Sequence, residues 1–372
     1  MRVKLEDVCK RIYAGGDVPK GRYSEKKTNE YNVPIFANAE KDEGLFGYTD
    51  EAREKELSIT VAARGTIGYT AIRREPFLPV VRLITVVPDL SKVSERYLFY
   101  ALKNCKPQSS GTSIPQLTVP DIKKNTLNLL DIAEQELIAD RLDKVNKIIN
   151  LIKEELTKFD ELIKARFVEL FGDPEENPKK WDKIPLSGLI VNANNGMARR
   201  GNDEEGNIVM RLVELQDGYI DYSNPNRILL SDNEKKRYLL KDRDFLFARV
   251  NGNPDNVGRC AVFHDIGEEV FHNDHIIRVH FDEDRLNGTF ASALFNSDYG
   301  KKQLKSQIKT SAGQYTVSQD GIGAIVTILP RMELQLNFEK FVNQVDKSKF
   351  AVQKSLDETQ KLFDSLMQNY FG

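Results

Sequence analysis

One stretch decides the fold of this chain. It runs from Asp131 to Gly172 and reads DIAEQELIADRLDKVNKIINLIKEELTKFDELIKARFVELFG. Apolar residues recur in it at alternating steps of four and three, the spacing of positions a and d in a coiled-coil heptad. Arg166 is the one polar interruption of this seam, which otherwise consists of Ile138, Leu142, Val145, Ile149, Ile152, Leu156, Phe159, Ile163 and Leu170. The stretch therefore predicts a long helix with a narrow apolar stripe.

The same pattern returns 200 residues later, at the end of the chain. Gln135 is matched there by Gln335, and Gly172 is matched by Gly372. The second seam is polar only at Lys349 and Thr359, and it consists of Phe338, Val342, Val345, Lys349, Val352, Leu356, Thr359, Phe363, Leu366 and Tyr370. Weaker matches run through the parts that precede each seam, so the chain is a direct repeat of about half its length.

The two seams predict how the helices are arranged. A helix from about residue 134 to 171 is roughly 57 Å long at 1.5 Å per residue and cannot bury its seam alone. Its natural partner is its own copy, and a two-fold contact between equivalent surfaces makes the helices antiparallel. We therefore predict an α+β protein with a pseudo-two-fold internal repeat. Two globular mixed α/β domains alternate in it with two long helices that pair as an antiparallel coiled coil.

The domain boundaries follow from the same pattern. Gly172 and the following Asp173-Pro174 predict the end of the first long helix. The predicted parts are a first globular domain at 1–130, a central helical spacer at 131–172, a linker at 173–185, a second globular domain at 186–328 and a C-terminal helical spacer at 329–372.

The globular parts have the composition of mixed strands and helices. We predict strands at 58–62, 80–87, 245–248 and 270–281, and helices at 95–103 and 288–295. Ser231 with Glu234 three residues later is a capping box and predicts a short helix before Tyr238. Ala62-Ala63-Arg64 aligns with Phe247-Ala248-Arg249, which places Arg64 and Arg249 at equivalent strand ends.

The bulk composition limits the class of protein. Hydrophobic residues make up 40% and charged residues 30%, an ordinary balance for a globular protein. The chain has a net charge of −2 and so lacks the overall positive charge of many nucleic-acid-binding domains. Any DNA binding must therefore rest on local basic patches. No apolar run reaches the length of a membrane span, and the charged N-terminus does not resemble a signal peptide. These features, with three widely spaced cysteines, predict a cytoplasmic protein with reduced thiols and no membrane partner.

Three local marks, in this order and within a repeat, carry a family resemblance. They are the strand and turn Ala62-Ala63-Arg64-Gly65-Thr66-Ile67-Gly68, the run from Ser109-Ser110-Gly111-Thr112 through Gln116-Leu117-Thr118-Val119-Pro120, and the helix opening Glu134-Gln135. With the repeat, they make essentially the whole chain resemble specificity subunits of type I restriction-modification systems.

The resemblance implies a function and partners. Each globular domain would read one half of a bipartite, gapped sequence in double-stranded DNA. The helices would set the gap and dock two copies of a separate adenine methyltransferase subunit, and motor-nuclease subunits would complete the restriction complex. A related alternative is the specificity subunit of a system whose methylase and nuclease are fused on another chain.

Catalytic motifs are missing from the sequence. Its three Asn-Pro pairs, at Asn177, Asn224 and Asn253, do not continue into the Asn-Pro-Pro-aromatic turn of an amino-methyltransferase. There is no Walker A loop for ATP, and no acid-x-Lys group of a metal-dependent nuclease follows a Pro-Asp pair at a plausible distance. The sequence therefore predicts a non-catalytic subunit without a cofactor. The rivals are a coiled-coil adaptor that does not bind DNA and an enzyme with an unrecognised site.

One group of residues has the spacing of zinc ligands. Cys260 and His264 form a C-x3-H pair, and His272 and His275 form an H-x2-H pair. We favour the alternative that residues 272–281 are an alternating strand, because the equivalent of His275 in the first copy is Pro79. No metal site is predicted.

Two pairs of equivalent residues are candidates for contacts with DNA. Arg64 and Arg249 would reach a phosphate or a guanine edge, or they would pin a turn by bonding carbonyl groups or Asp. Gln116 and Gln314 would bond adenine, or they would hold the turn between the globular domain and its helix, which we favour.

The other candidates lie on basic or polar stretches. Short basic runs are usually solvated surface, and Asn251-Gly252-Asn253 is either a loop tip that approaches a groove or a tight turn. The lysines at 301, 302, 305 and 309 are predicted to lie along one helix. The remaining predicted DNA-binding residues are Arg22, Lys26, Lys27, Thr66, Arg199, Arg200, Asn251, Asn253, Lys301, Lys305 and Tyr315.

Overall fold

A computed structural model describes residues 1–105, 116–311 and 313–372. The Ser109–Thr112 motif and Ala312 lie outside the described residues. The chain forms two compact units, of which unit 1 is Met1–Glu154 with Gln353–Gly372 and unit 2 is Glu155–Val352. Each unit therefore contains one globular part and a portion of both long helices.

Unit 1 opens with a β-rich globular part. Its strands are β1 (Arg2–Lys4), β2 (Cys9–Ala14), β3 (Tyr23–Ser24), β4 (Val33–Phe36), β5 (Leu45–Thr49), β6 (Ser58–Val61), β7 (Thr70–Arg73), β8 (Leu78–Pro79), β9 (Ile84–Pro88) and β10 (Thr126–Asn128). Its helices are α1 (Glu95–Lys103), α2 (Val119–Lys124) and the first part of α3 (Ile132–Phe171). The strands form sheets in the orders β2-β9-β6-β7, β3-β5-β4-β8 and β1-β10.

Unit 2 has the same kind of globular part. Its strands are β11 (Asp182–Pro185), β12 (Ile190–Asn195), β13 (Asn207–Met210), β14 (Arg227–Ile228), β15 (Phe245–Ala248), β16 (Val250–Asn251), β17 (Cys260–Val262), β18 (Val270–His272), β19 (Ile276–Phe281), β20 (Lys309–Ser311), β21 (Gln314–Thr316) and β22 (Val326–Leu329). Its helices are α4 (Asp232–Tyr238), α5 (Gly288–Phe295), α6 (Asp298–Ser306), α7 (Gln319–Gly323) and the first part of α8 (Met332–Phe371).

The main sheet has the same connectivity in both units. Its order is β2-β9-β6-β7 in unit 1 and β12-β19-β15-β17 in unit 2, and every pairing in it is antiparallel. Each unit also contains a parallel strand pair, β4 with β8 in unit 1 and β13 with β18 in unit 2. The predicted mixed α/β globular parts and long helices are confirmed.

The helices complete the core of unit 1. Ile138, Leu142 and Ile149 of α3 are buried in one apolar cluster with Phe363 and Met367 of α8. Residues of the main sheet belong to the same cluster, so the globular part and the helices share one core. The polar seam residue Thr359 is satisfied within its own helix, because its hydroxyl donates to the Ser355 carbonyl at 2.7 Å.

Aromatic rings fill the corresponding place in unit 2. Phe167 and Phe171 of α3, Phe338 of α8 and Phe290 of α5 form a cluster with ring centroids 4.7 to 5.6 Å apart. The polar seam residue Lys349 has its own partner, since its ammonium lies 2.7 Å from the Asp160 carboxylate.

Local signals in the sequence locate several helix ends correctly. Helix α4 begins after Ser231, whose hydroxyl and the Glu234 carboxylate form the predicted capping box. Helix α3 ends at Phe171, and Gly172 follows with a φ of +79°. A left-handed residue at this position is most easily glycine, which ends the helix as predicted.

Two of the predicted strands are wrong in extent. The strand at 80–87 is interrupted because Val81 and Arg82 have φ values of +52° and +62°, and regular pairing resumes only at Ile84. The strand at 270–281 is two strands, β18 and β19, which belong to different sheets and are separated by residues 273–275. The helix predicted to carry four lysines ends at Ser306, so Lys309 lies in β20 instead.

The aromatic cluster of unit 2 generates a prediction about stability. Phe338→Ala should lower the free energy of unfolding by about 3–5 kcal/mol, because it leaves a cavity between buried rings. Phe350→Ala on the same helix is the matched control, since Phe350 is 76% exposed, and it should change the free energy by less than about 0.5 kcal/mol. Urea unfolding of the two variants measures both, and equal losses would contradict the packing described here.

Candidate nucleic-acid interface

Most of the predicted basic residues already have acidic partners. In unit 1, Arg22 lies 2.7 Å from the Asp50 carboxylate. In unit 2 the pairs are Arg199 with Glu234 at 3.1 Å, Arg200 with Asp274 at 2.6 Å, Lys301 with Asp217 at 2.8 Å and Lys305 with Asp255 at 2.7 Å. The Arg199 guanidinium lowers the pKa of the Glu234 carboxyl to about 2. These pairs neutralise much of the positive charge that the sequence suggested.

Arg249 has a different environment. It directly follows β15, and its Nη1 donates to the Asp274 carbonyl at 3.1 Å. Among the described residues, no carboxylate lies within ion-pair distance of Arg249 or of Lys309. Both cations line one cleft of about 330 Å³, whose lining residues are Asn195, Arg249, Lys309, Thr316, Val317, Ser318, Gln319 and Asp320.

A small sheet stands beside this cleft. Strands β20 and β21 form a hairpin that turns at Gly313, where φ is +78°. Strand β16 extends the hairpin to three strands, with Asn251 opposite Tyr315. The structure thus brings together the predicted residues Arg249, Asn251, Gln314 and Tyr315.

Lys309 also belongs to this group, although the sequence pattern predicted it to lie on a helix. A signal for its true position existed, because the polar cluster at 310–313 ends in a glycine and is followed by Tyr315-Thr316-Val317. Such a cluster before a β-prone run is a hairpin signal.

Asn253 has a local structural role. Its side-chain oxygen accepts the Asp255 N–H at 3.0 Å and caps the short 3-10 helix Pro254–Asn256. Its own N–H donates to the Asn251 side chain at 2.9 Å. These contacts are those of a tight turn.

The Arg64 side chain contacts Gln116 in unit 1. Its Nε and Nη2 both donate to the Gln116 amide oxygen, at 3.1 and 2.9 Å. Arg64 and Gln116, both predicted to bind DNA, are therefore hydrogen-bonded to each other. Of the other candidates in unit 1, Thr66, Lys26 and Lys27 are exposed.

The alignment of Arg64 with Arg249 is wrong by one residue. The Leu117 N–H donates to the Ala63 carbonyl at 3.0 Å, whereas the Val317 N–H donates to the Arg249 carbonyl at 2.9 Å. Ala63 is therefore the structural equivalent of Arg249. Arg64 lies one residue further along, in the bend that follows β6. Leu117 is likewise the equivalent of Val317, so the predicted equivalence of Gln116 with Gln314 is also wrong, and Gln116 corresponds to Thr316.

The residues with zinc-like spacing are separated in the structure. Cys260 is buried in the aromatic core, where burial raises the pKa of its thiol, whereas His272 is buried beside Tyr238, with its Nδ1 3.1 Å from the Tyr238 carbonyl oxygen. His264 is exposed and lies 3.5 Å from the Asp242 carboxylate. Among the residues that the structure describes, no three His, Cys, Asp or Glu side chains are grouped to hold a metal ion.

Comparisons with known proteins identify the family. A family described as "Type I restriction modification DNA specificity domain" matches residues 1–158. The specificity subunit of the type I restriction enzyme StySPI from Salmonella potsdam is 24% identical over 332 residues, which cover 84% of this chain and 72% of that protein. The C-terminus of a putative type I specificity subunit from Mycoplasma pneumoniae is 37% identical over 119 residues, which cover 32% of this chain and 81% of that protein. This chain belongs to the type I specificity-subunit family.

A solved structure agrees with the fold. The type I restriction-modification S subunit from M. genitalium superposes with a TM-score of 0.56 at 16% identity, covering 100% of this chain and 96% of that one. Matches to two further Mycoplasma pneumoniae subunits span only 38% and 41% of those proteins. Specificity subunits of type I systems are non-catalytic, so the prediction that this chain is not an enzyme is confirmed by its family. None of the described helices of this family member is long and apolar enough to cross a membrane.

The buried His272 generates a prediction about pH. Burial lowers its pKa from 6.5 to about 4. Because the unfolded chain binds this proton at higher pH than the folded chain, stability should fall as the pH drops from 6.5 to about 4, by roughly 3 kcal/mol in total. His272→Asn should remove this dependence of the free energy of unfolding on pH, whereas His264→Asn, at an exposed site, should keep it. Urea unfolding at a series of pH values tests this, and identical slopes in all three proteins would refute it.

Proposed function

We propose that this specificity subunit reads a bipartite, gapped sequence in double-stranded DNA, with one half-site for each globular domain, 1–130 and 186–328. One observation carries the proposal. The cleft of unit 2 holds two cations that have no carboxylate partner in the described part of the chain, beside a hairpin with polar and aromatic side chains. Phosphate binding by Lys and Arg drives DNA association through counterion release, and a cation already paired with an acid must first lose that partner.

The hairpin is a two-stranded antiparallel ribbon. The major groove of B-DNA admits a two-stranded β-ribbon. We propose that β20 and β21 enter the groove, with Gln314 and Tyr315 near the turn, while Arg249 and Lys309 bind phosphates at its edge. Phosphate contacts would position the hairpin, and its side chains would supply the sequence readout.

The first globular domain would read its half-site differently. Ala63 occupies the place of Arg249, so that position has no cation. Arg64 would contact DNA after exchanging the Gln116 oxygen for a phosphate or a guanine edge, and this would release the Gln116 amide for the duplex. The exposed Lys26 and Lys27 would bind phosphates, whereas Arg22 would first have to leave Asp50. In the second domain, Arg199, Arg200, Lys301 and Lys305 would likewise have to leave their acids, so we rank them below Arg249.

The long helices would act as the spacer. We propose that segments 131–172 and 329–372, joined to the second domain through the linker 173–185, pair as an antiparallel coiled coil in a pseudo-two-fold repeat. Support comes from both units, since the beginning of α3 packs with the end of α8 in unit 1 and the end of α3 packs with the beginning of α8 in unit 2. The spacer would set the gap and dock two adenine methyltransferase subunits, and restriction subunits would join them in the cytoplasm. The three free thiols suit that compartment.

Methylation mapping tests the proposed function. The chain is co-expressed with the methyltransferase subunit of its own system in a host without such methylation, and modified adenines are mapped by long-read sequencing. Methylation confined to one gapped, two-part sequence is expected, and exchange of residues 186–328 for those of a relative should change one half of it. A methyltransferase that co-purifies with the chain but modifies no such sequence would favour the adaptor alternative.

The cleft generates a prediction about salt dependence. Arg249→Ala should weaken binding to the mapped site about 5- to 10-fold near 0.1 M salt and reduce the slope of log K against log salt by about 1, because one phosphate contact is lost. Arg227→Ala is the control, since Arg227 is paired with Glu268 at 2.6 Å outside the cleft, and its slope should not change. Fluorescence anisotropy with a duplex containing the site measures both. A reduced affinity with an unchanged slope would instead indicate that Arg249 reads a base.

A further inference from the structure

Two buried glutamines occupy equivalent positions at the start of the long helices. Gln135 and Gln335 are both 0% exposed. The Gln135 amide oxygen accepts the Ser94 N–H at 2.8 Å, and its amide nitrogen donates to the carbonyls of Lys92 and Leu130 at 3.0 and 2.9 Å.

Gln335 makes the same three contacts in the other unit. Its amide oxygen accepts the Asn287 N–H at 2.9 Å, and its amide nitrogen donates to the carbonyls of Arg285 and Pro330 at 3.1 and 2.7 Å. Ser94 and Asn287 are the N-caps of α1 and α5. In each unit one amide group therefore ties the first turn of a short helix to the first turn of a long one.

We propose that Gln135 and Gln335 are positioning residues that hold each globular domain at a set angle on its long helix and thereby limit the gap lengths that the protein accepts. This inference rests on the proposed function. A planar amide bonded at three points cannot turn without leaving buried polar groups unpaired, which resists rotation at the joint.

A small angle matters because the helix is long. A 40-residue helix extends about 60 Å, so a tilt of about 4° at its start moves the far end by about 4 Å. That displacement is comparable to the 3.4 Å rise of one base pair along a strand. A tilt of this size at the joint would therefore change the gap by about one base pair.

The two joints differ in their additional support. In unit 1, Arg96 of α1 pairs with Asp140 at 2.8 Å and Asp143 at 2.7 Å on α3, and the Tyr100 hydroxyl donates to Asp143 at 2.6 Å. In unit 2, Thr289 takes the place of Arg96, and its contact with Glu339 of α8 is 3.5 Å long. Loss of Gln335 should therefore loosen its joint more than loss of Gln135.

Gap lengths in the methylated sites test the inference. The variants are Gln335→Met and Gln135→Met, with Gln344→Met, an exposed position on α8, as the matched control. Each is co-expressed with the methyltransferase subunit, and methylation is scored at sites that keep both half-sites but have a gap one base pair longer or shorter. We expect Gln335→Met to raise methylation at such sites at least 10-fold over the wild type, Gln135→Met to raise it less, and Gln344→Met to leave it unchanged.

A purely structural role predicts a different outcome. Gln335→Met would then reduce methylation at sites of the wild-type gap without adding any other gap, which would overturn the inference while the proposed function stands. A wild-type chain that methylates no gapped sequence would overturn both.

Hydrogen exchange keeps the inference testable if the variants do not fold. In the wild-type chain, the Ser94 and Asn287 amides should exchange as slowly as the interior of α3 and α8. Fast exchange of these two amides by local opening would show a loose joint and overturn the proposal.

Discussion

A helix of 40 residues with one apolar seam is the constraint on which the rest of this protein depends. Such a seam is costly to expose, and neither α3 nor α8 buries it alone. The chain meets this constraint by making the helices part of each core. Ile138 and Phe363 share a cluster with the sheet of unit 1, and Phe171 and Phe338 share one with α5 of unit 2. Each unit is consequently built from segments that are distant in sequence, and one apolar cluster in each unit includes residues of both long helices.

The same integration explains why a buried glutamine recurs where apolar residues would otherwise be expected. The first turn of a helix leaves backbone groups without partners, and a globular domain packed against that turn buries them. Gln135 and Gln335 satisfy backbone groups beside these turns, because each accepts the N–H of the residue that caps the short helix and donates to a carbonyl just before the long helix. The contact therefore satisfies buried backbone polar groups, in addition to the role proposed for it in orienting the globular domain.

The net charge of this protein says little about DNA binding, because positive charge is available only at particular sites. The chain has a net charge of −2, and half of the basic residues proposed for DNA binding have a carboxylate within ion-pair distance. Arg249 and Lys309, which line one cleft, have no acid within that distance among the described residues. Since Ala63 stands where unit 2 has Arg249, the two globular parts share a backbone while differing in the charge at this point. Under the proposed function, this difference would help the two domains to read different sequences.

The sequence by itself determined the features that depend on near neighbours. The seam spacing, the capping box at Ser231 and the glycine at 172 are local, because period and backbone preference are properties of a few consecutive residues. Only the tertiary structure decided the break at Val81 and Arg82, the shift that puts Ala63 rather than Arg64 opposite Arg249, and the place of Lys309 on a hairpin. These features depend on hydrogen bonds to strands far along the chain. A shift of one residue in the pairing of two strands leaves the local sequence pattern unchanged, but it moves each side chain to the opposite face of the sheet.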